Sequence, residues 1–389
     1  MTLHPFLDLH PWEMPSWAEV DLKAIRHNFQ EIKRLAGKTT RILCVVKGDA
    51  YGHGLVRVAS FLDQLGLEFF GVSDIEEGMI LRKNGIRKPI LIFESTLPSQ
   101  AQRIVEYHLT PTICTMGMAK ALNRYAKSLP QRLGIHVEVD TGMGRFGIGH
   151  EEAFDFIKNL SLLSHLSIQG IYTHFPLAET DREFTRRQIR HLYDLVKRLD
   201  QSGVVVPTIH AANSMGLVGY KTRILNLARP GLMLYGLSPS VGAGLKPVPT
   251  LKRKIALRPA LSVKSRIVFL KKVKKGQGIS YGHTFVAPKN MEIATLAIGY
   301  KDGYLRCLSN KSCVLIRGWR CPVVGRVTMD QIMVDVSGIK PVRVGMEAVI
   351  LGKQKDASID ADELAEYAHT ISYEIVCHLG NHLPRVYKT

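Results

Sequence analysis

Between residues 41 and 235, short apolar runs alternate with amphipathic stretches so regularly that few folds accommodate the pattern. The runs 41–47, 69–74, 90–94, 111–115, 134–139, 168–174, 205–210 and 226–235 have the length of buried strands. Helical spacing marks the stretches between them, such as Met116–Lys127, Arg182–Asp200 and Ser214–Gly219. Eight strand-helix units predict an α/β fold, a closed (β/α)8 barrel of the TIM type. A doubly wound open sheet also alternates, but it usually carries a G-x-G-x-x-G loop after its first strand, and none is present here. Upstream, Asp21 is placed to cap a helix whose apolar positions Leu22, Ile25, Phe29 and Ile32 fall on one face before Gly37 stops it.

The texture changes from Gly236 onward, through Pro239, Gly242, Gly244, Pro247 and Pro249, which reads as a junction. Beyond it, strand-like runs at 261–270, 291–298, 313–316, 322–327, 332–336 and 346–351 are separated by glycine turns, with one acidic helix near Asp360–His369. The expected organisation is a barrel over residues 1–250 followed by a mainly-β C-terminal domain over 251–389.

Composition bounds the function. With 389 residues, 46% hydrophobic and 22% charged, the chain can build more than one core. The formal charge of +18 is spread along the sequence, apart from a short cluster at Lys271, Lys272, Lys274 and Lys275, so it argues for steering anionic small molecules rather than for nucleic acid. Six cysteines show neither a C-x-x-C pair nor metal-ligand spacing with histidine, and they are read as reduced, with no metal expected. The start lacks the pattern of a signal peptide and no run approaches membrane-spanning length, so a cytoplasmic protein is expected.

In a barrel of this kind the residues just after each strand build the active site. The first run ends on Lys47 and passes into Gly48-Asp49-Ala50-Tyr51-Gly52-His53-Gly54. Burial lowers a lysine's pKa, and the neutral amine is the form that attacks carbonyls. Later strands deliver Arg145 in Asp140-Thr141-Gly142-Met143-Gly144-Arg145, His174 in Tyr172-Thr173-His174, the pair Asn213-Ser214, and Arg229-Pro230-Gly231-Leu232. Glycine-flanked amides after the last two strands are where such barrels usually hold a phosphate. Singly, each has a plainer explanation: a core histidine, a helix cap, a turn. Their coincidence on one barrel face with a carbonyl-reactive lysine favours a site.

Val45-Val46-Lys47, with Ala50-Tyr51-Gly52-His53-Gly54 following, resembles the cofactor-lysine segment of the alanine racemases, and the resemblance extends over nearly the whole chain. It implies pyridoxal 5'-phosphate held by Lys47 as an internal aldimine, interconversion of L- and D-alanine, and supply of D-alanine for peptidoglycan. It implies a phosphate cradle of Tyr51, Ser214, the amides of Gly231 and Leu232, and Tyr373 in Ser372-Tyr373-Glu374-Ile375. Arg145 matches the arginine near the cofactor's phenolic oxygen and the substrate carboxylate, and Asn213 lies in the matching Asn-Ser pair. Ile279-Ser280-Tyr281-Gly282-His283 resembles the segment carrying the second acid/base, on the opposite cofactor face from Lys47. Inverting a centre is simplest with two positioned groups. A phenol is a poor base at neutral pH and needs tuning, and His174 and Arg229 match the residues behind it. Segments around Tyr300 and Gly325-Arg326-Val327-Thr328-Met329-Asp330 resemble those closing the substrate mouth, with the Met329 amide receiving the carboxylate; Thr328 stands where the family often has cysteine. In the family these segments serve the partner subunit's site, so a homodimer with shared sites is implied.

Three alternatives stay open. A broader or serine-specific racemase differs in pocket size, which the sequence does not show. A decarboxylase of the same architecture would place a carboxylate against the pyridine nitrogen; Arg229 cannot accept that proton, which favours racemisation. A pyridoxal-phosphate carrier would resemble the barrel alone, without Tyr281 and Met329. The chain departs from the family at Glu138, where many alanine racemases have a lysine bearing a carbamate. An anion there is expected to hold Arg145 by a charge-assisted hydrogen bond, across a gap left by the shorter side chain.

Overall fold

The computed structural model describes residues 13–220, 222–237 and 255–389. Eight parallel strands, Arg41–Val45, Phe69–Val72, Ile90–Ser95, Thr110–Ile113, Leu133–Asp140, Leu166–Tyr172, Thr208–His210 and Leu227–Ala228, pair in sequence. The last pairs with the first through Leu227 opposite Arg41, closing the barrel. These strands are buried on both faces, which is why they read as unbroken apolar runs rather than as alternating patterns. The helix Leu22–Ala36 starts on the Asp21 carboxylate, which accepts from the Ala24 amide at 3.0 Å, and ends at Gly37 with φ 77°. Its residues Leu22, Ile25, Phe29 and Ile32 are buried. Each buried side chain of that size contributes about 1.5–3 kcal/mol of transfer free energy.

A second, nine-stranded sheet gathers the long strand Leu261–Val273 with Met291–Leu296, Cys313–Ile316, Trp319–Pro322, Ile332–Asp335, Glu347–Gln354 and Ala357–Ile359. It also takes in Ser16–Asp21, antiparallel to Leu261–Val273 and parallel to Arg385–Lys388. The acidic helix runs Ala361–Ala368, and a further helix, Ser372–Asn381, follows it. The junction expected from Pro239 to Pro249 lies outside the described residues. Among the described residues no helix is long and apolar enough to cross a membrane.

Four expectations differ. The first barrel strand stops at Val45, and Lys47 opens a turn instead of ending the strand. Of 226–235 only Leu227–Ala228 is strand, because Pro230 interrupts it and Leu232–Tyr235 closes into a 3-10 turn. The run expected at 322–327 is displaced to Trp319–Pro322, paired with Cys313–Ile316. Ser16–Asp21, where no strand was expected, is a strand whose antiparallel partner lies some 250 residues away.

Candidate active site

The strand ends converge as the barrel rule requires. Lys47, Tyr51, Arg145, His174, Asn213, Ser214, Arg229, Gly231, Leu232 and Tyr373 all line one cavity of about 530 Å³. Tyr373 arrives from outside the barrel, on the helix Ser372–Asn381. The same helix brings Glu374 and Cys377 to the cavity.

Lys47 is followed by an unusual turn. Gly48, Asp49, Ala50, Tyr51 and Gly52 have φ of 64°, 54°, 55°, 52° and 80°. The three residues with a Cβ each bear about 1–2 kcal/mol for a left-handed conformation. Such strain persists only where neighbours over-determine it. The turn directs Tyr51 across the cavity against Gly231, where an added Cβ would lie 2.4 Å from the Tyr51 hydroxyl oxygen. The Tyr51 ring packs at 4.9 Å from Tyr235 and 6.0 Å from Tyr373.

At this end of the cavity Ser214 Oγ accepts from the amides of Gly231 at 3.2 Å and Met233 at 3.5 Å, leaving its own proton for a ligand. Asn213 caps the same short helix, accepting from the Gly216 amide at 2.8 Å and donating to Phe175 O at 3.3 Å. Hydroxyls of Tyr51, Ser214 and Tyr373, with the Leu232 amide, form a donor set suited to a phosphate, while the Gly231 amide is engaged by Ser214.

The same cavity is lined by cations. Burial lowers the pKa of Lys47, and the Arg145 charge lowers it further. Arg145 sits on a loop shaped by Asp140, whose carboxylate accepts from the amides of Gly142 and Met143, both at 2.8 Å, and Gly144 at 3.0 Å. Arg229 is buried, and desolvation brings it down to about 10, so it remains a cation at neutral pH. It donates to His210 Nδ1 at 2.7 Å, Thr173 O at 2.9 Å and Ala211 O at 3.3 Å, and its guanidinium lies 4.9 Å from the Tyr172 ring centre. Since a guanidinium only donates, His210 Nδ1 must accept; His210 Nε2 then donates to His136 Nδ1 at 2.8 Å, which fixes both tautomers. Arg229 also reaches His174 Nδ1 at 3.4 Å, which turns the Nε2–H of His174 into a donor. Burial holds all three histidines neutral, His136 and His174 at about 3.

Glu138 corrects one expectation. Its Oε1 lies 3.8 Å from Arg145 Nη2, ion-pair range but beyond a hydrogen bond, and its Oε2 is buried with no partner among the described residues. Desolvation raises its pKa to about 7, with the Tyr172 hydroxyl first, then Arg229 and Arg145, pulling in the other direction. The carboxyl is therefore only partly ionised at neutral pH.

Tyr281 and Met329 stand apart. Neither lines the cavity of its own chain, and they are 69% and 52% exposed in loops between the C-terminal strands. Tyr300 and Ile371 are exposed as well. In the other direction, the cavity includes Phe93 and Tyr172, which the sequence reading passed over as ordinary strand residues. Both sit at the C-terminal ends of barrel strands, Ile90–Ser95 and Leu166–Tyr172, so the strand-end rule could have found them. His136, buried in mid-strand, carried no such signal, whereas His210 ends the strand Thr208–His210 and falls under the same rule.

Comparison with known proteins follows the whole length of the chain. Residues 20–239 match the family model "Alanine racemase, N-terminal domain" and 260–387 match "Alanine racemase, C-terminal domain". The alanine racemase of Halothermothrix orenii is 43% identical over 96% of this chain and 97% of its own length. A solved alanine racemase of Clostridium difficile 630 superposes with a TM-score of 0.89 at 35% identity, covering 96% of each chain. A histidine racemase of Leuconostoc mesenteroides superposes with a TM-score of 0.86 at 29% identity, over 98% of this chain and 99% of that one.

Proposed function

From the premise that this chain belongs to the alanine racemase family, we propose that it racemises alanine with pyridoxal 5'-phosphate in the 530 Å³ cavity, in a homodimer whose two sites are each completed by the partner subunit. The observation that carries this reading is the convergence of Lys47, the donors at Tyr51, Ser214, Leu232 and Tyr373, and the cations Arg145 and Arg229 on one cavity. That arrangement fits an anionic aldehyde cofactor: the glycine at 231 leaves room that a Cβ would fill against Tyr51, and the lining sets the guanidinium groups of Arg145 and Arg229 against one carboxylate, Glu374. The division into a barrel of about 1–250 and a β domain from about 251 belongs to the same proposal, with the family models breaking between 239 and 260.

When bound, pyridoxal phosphate supplies an electron sink that acidifies the Cα–H bond of an amino acid joined to its aldehyde carbon. The protein's part is to hold, orient and move protons. Lys47, whose pKa burial lowers so that its amine is freed more readily than that of an exposed lysine, would attach the cofactor and then take or return the Cα proton on its own face. Arg145 orients the substrate carboxylate. Arg229, a donor without acceptor capacity, leaves a ring nitrogen unprotonated and so moderates the sink, which disfavours decarboxylation and transamination. Tyr281 of the partner subunit supplies the proton on the opposite face, with His174 aligning it, and the Met329 amide of the partner subunit receives the carboxylate. The exposure of Tyr281 and Met329 on a single chain supports this placement. In a cell the product would supply D-alanine to peptidoglycan, from the cytoplasm.

Purified protein should be yellow, borohydride should fix the cofactor onto Lys47, and chiral separation should show D-alanine formed from L-alanine. A colourless protein that takes up no pyridoxal phosphate would end this reading. Parallel incubations with L-serine and L-histidine decide the substrate range, since a protein of this fold bearing the name histidine racemase shows that the architecture alone does not fix it.

A further inference from the structure

The turn that follows Lys47 is held from outside the cavity by residues that touch neither cofactor nor substrate. Its backbone is left-handed for five consecutive residues, Gly48 to Gly52, and three of them carry side chains that disfavour it. The turn therefore needs external partners. Arg385, on the strand Arg385–Lys388, supplies a three-point grip: Nη2 donates to the Asp49 carboxylate, and Nε donates to Gly52 O at 3.0 Å and to Gly380 O at 2.9 Å. Asp49 passes the grip inward, since its Oδ1 accepts from the Leu55 amide at 2.7 Å. From the barrel side the Glu77 carboxylate accepts from the Asp49 amide at 3.0 Å and the Ser73 amide at 2.9 Å. From within, His53 Nδ1 donates to Tyr51 O at 2.8 Å and Ala50 O at 3.1 Å. The backbone beyond the turn is pressed against the helix Ser372–Asn381: a Cβ on Gly380 would lie 2.2 Å from Gly52 O.

We infer that Arg385 is a positioning residue for the cofactor site, fixing the directions of Lys47 and Tyr51 by locking the left-handed turn through Asp49 and Gly52. The lock has two ends. On the barrel side, Tyr51 meets Gly231 with no slack, so a small relaxation of the turn moves a hydroxyl that the donor set needs. On the other side, Arg385 ties the turn to the helix that carries Tyr373, so the two aromatic members of the donor set are registered by one guanidinium. A planar fork that bonds a carboxylate and two carbonyls together is a task a lysine or a neutral side chain does not perform.

This inference rests on the cofactor reading of the cavity, and its test separates the two. The holoenzyme and its variants Arg385→Met, Asp49→Asn and the double variant are loaded with pyridoxal phosphate. The rate of cofactor release into a trapping amine is then followed by absorbance, at a temperature well below each unfolding midpoint. Each single variant should release cofactor at least about tenfold faster, and the double variant no faster than the worse single, because both break one grip. Asp49→Asn keeps the acceptor for the Leu55 amide, so it carries the test if Arg385→Met does not fold. Release within twofold of wild type in Asp49→Asn, or a double variant whose effect is the product of the singles, would overturn the inference. A wild-type protein that binds no cofactor would instead overturn the function proposed above.

Discussion

The Glu138 carboxylate lies 3.8 Å from the Arg145 guanidinium and, although 1% exposed, leaves its Oε2 without a hydrogen-bond partner among the described residues. This is a costly arrangement for an anion. The fold raises the carboxyl's pKa from 4.5 to about 7 by burial, so the folded state binds the proton more tightly than the unfolded chain. Its stabilising contribution is thus fully present below about pH 4.5 and is lost as pH rises through about 7. Glu138→Gln should gain up to about 3 kcal/mol over wild type at pH 8 and little at pH 5, read from urea midpoints. Equal differences at the two pH values would show that Glu138 ionises normally.

Activity should move the opposite way. The anion is what orients Arg145, so kcat/KM of the wild type should rise through pH 7, and Glu138→Gln should lose both that inflection and roughly tenfold in rate. Activity should not respond to bicarbonate, whereas Glu138→Lys should. A fully active Glu138→Gln would remove the assigned role.

How much of this was readable beforehand depended on whether the signal was local. Each barrel strand is buried on both faces, so its apolar run stands out, and Lys47, His174 and Arg229 could be placed by counting past the ends of such runs. The left-handed turn after Lys47 was not legible, because Asp49, Ala50 and Tyr51 are residues that avoid that conformation, and the reason they adopt it sits at Arg385. His210 looked like any strand residue; its meaning comes from Arg229 and His136, brought to it by the closure of the barrel. Ser16–Asp21 was missed for the same cause, a strand defined by partners at 261–265 and 385–388.

Arg229 tests the choice of reaction. If Arg229 faces the ring nitrogen of bound cofactor as proposed, Arg229→Glu would put there a group that can keep it protonated, so racemisation should fall by about a hundredfold while side transamination with alanine rises. The variant also breaks a buried network, with a cost of about 3–5 kcal/mol in stability. The useful readout is therefore the ratio of transamination to racemisation, which does not depend on the folded fraction. An unchanged ratio would count against Arg229 as the moderator of the electron sink.

Gly380→Ala examines the contact between the last helix and the turn. The new Cβ would meet the Gly52 carbonyl oxygen at 2.2 Å and the Gly52 carbon at 2.7 Å, and both partners are backbone. One of the two elements must shift. Overpacking of this kind costs about 1–3 kcal/mol, and cofactor occupancy after dialysis should fall with it. Full occupancy with an unchanged unfolding midpoint would mean that the helix rides on the turn without constraining it.

The proposed sharing of sites between subunits predicts complementation between two inactive variants. Tyr281 is too exposed to serve the cavity of its own chain, and the cavity that contains Lys47 holds no Tyr281. Lys47→Ala lacks one proton carrier and Tyr281→Ala the other, so each homodimer should be nearly inactive. When the two are mixed and their subunits exchange, half the dimers become heterodimers. In each heterodimer one site pairs an intact Lys47 with an intact Tyr281 of the partner subunit, and the other site lacks both. Activity should therefore return to roughly a quarter of the wild-type value at full exchange. Tyr281→Ala alone should still bind cofactor, and it should impair exchange of the Cα proton of one alanine enantiomer with solvent deuterium more than that of the other, because Lys47 remains on its own face. Mixed variants that recover nothing, although size exclusion and mass spectrometry show heterodimers, would place Tyr281 outside the site.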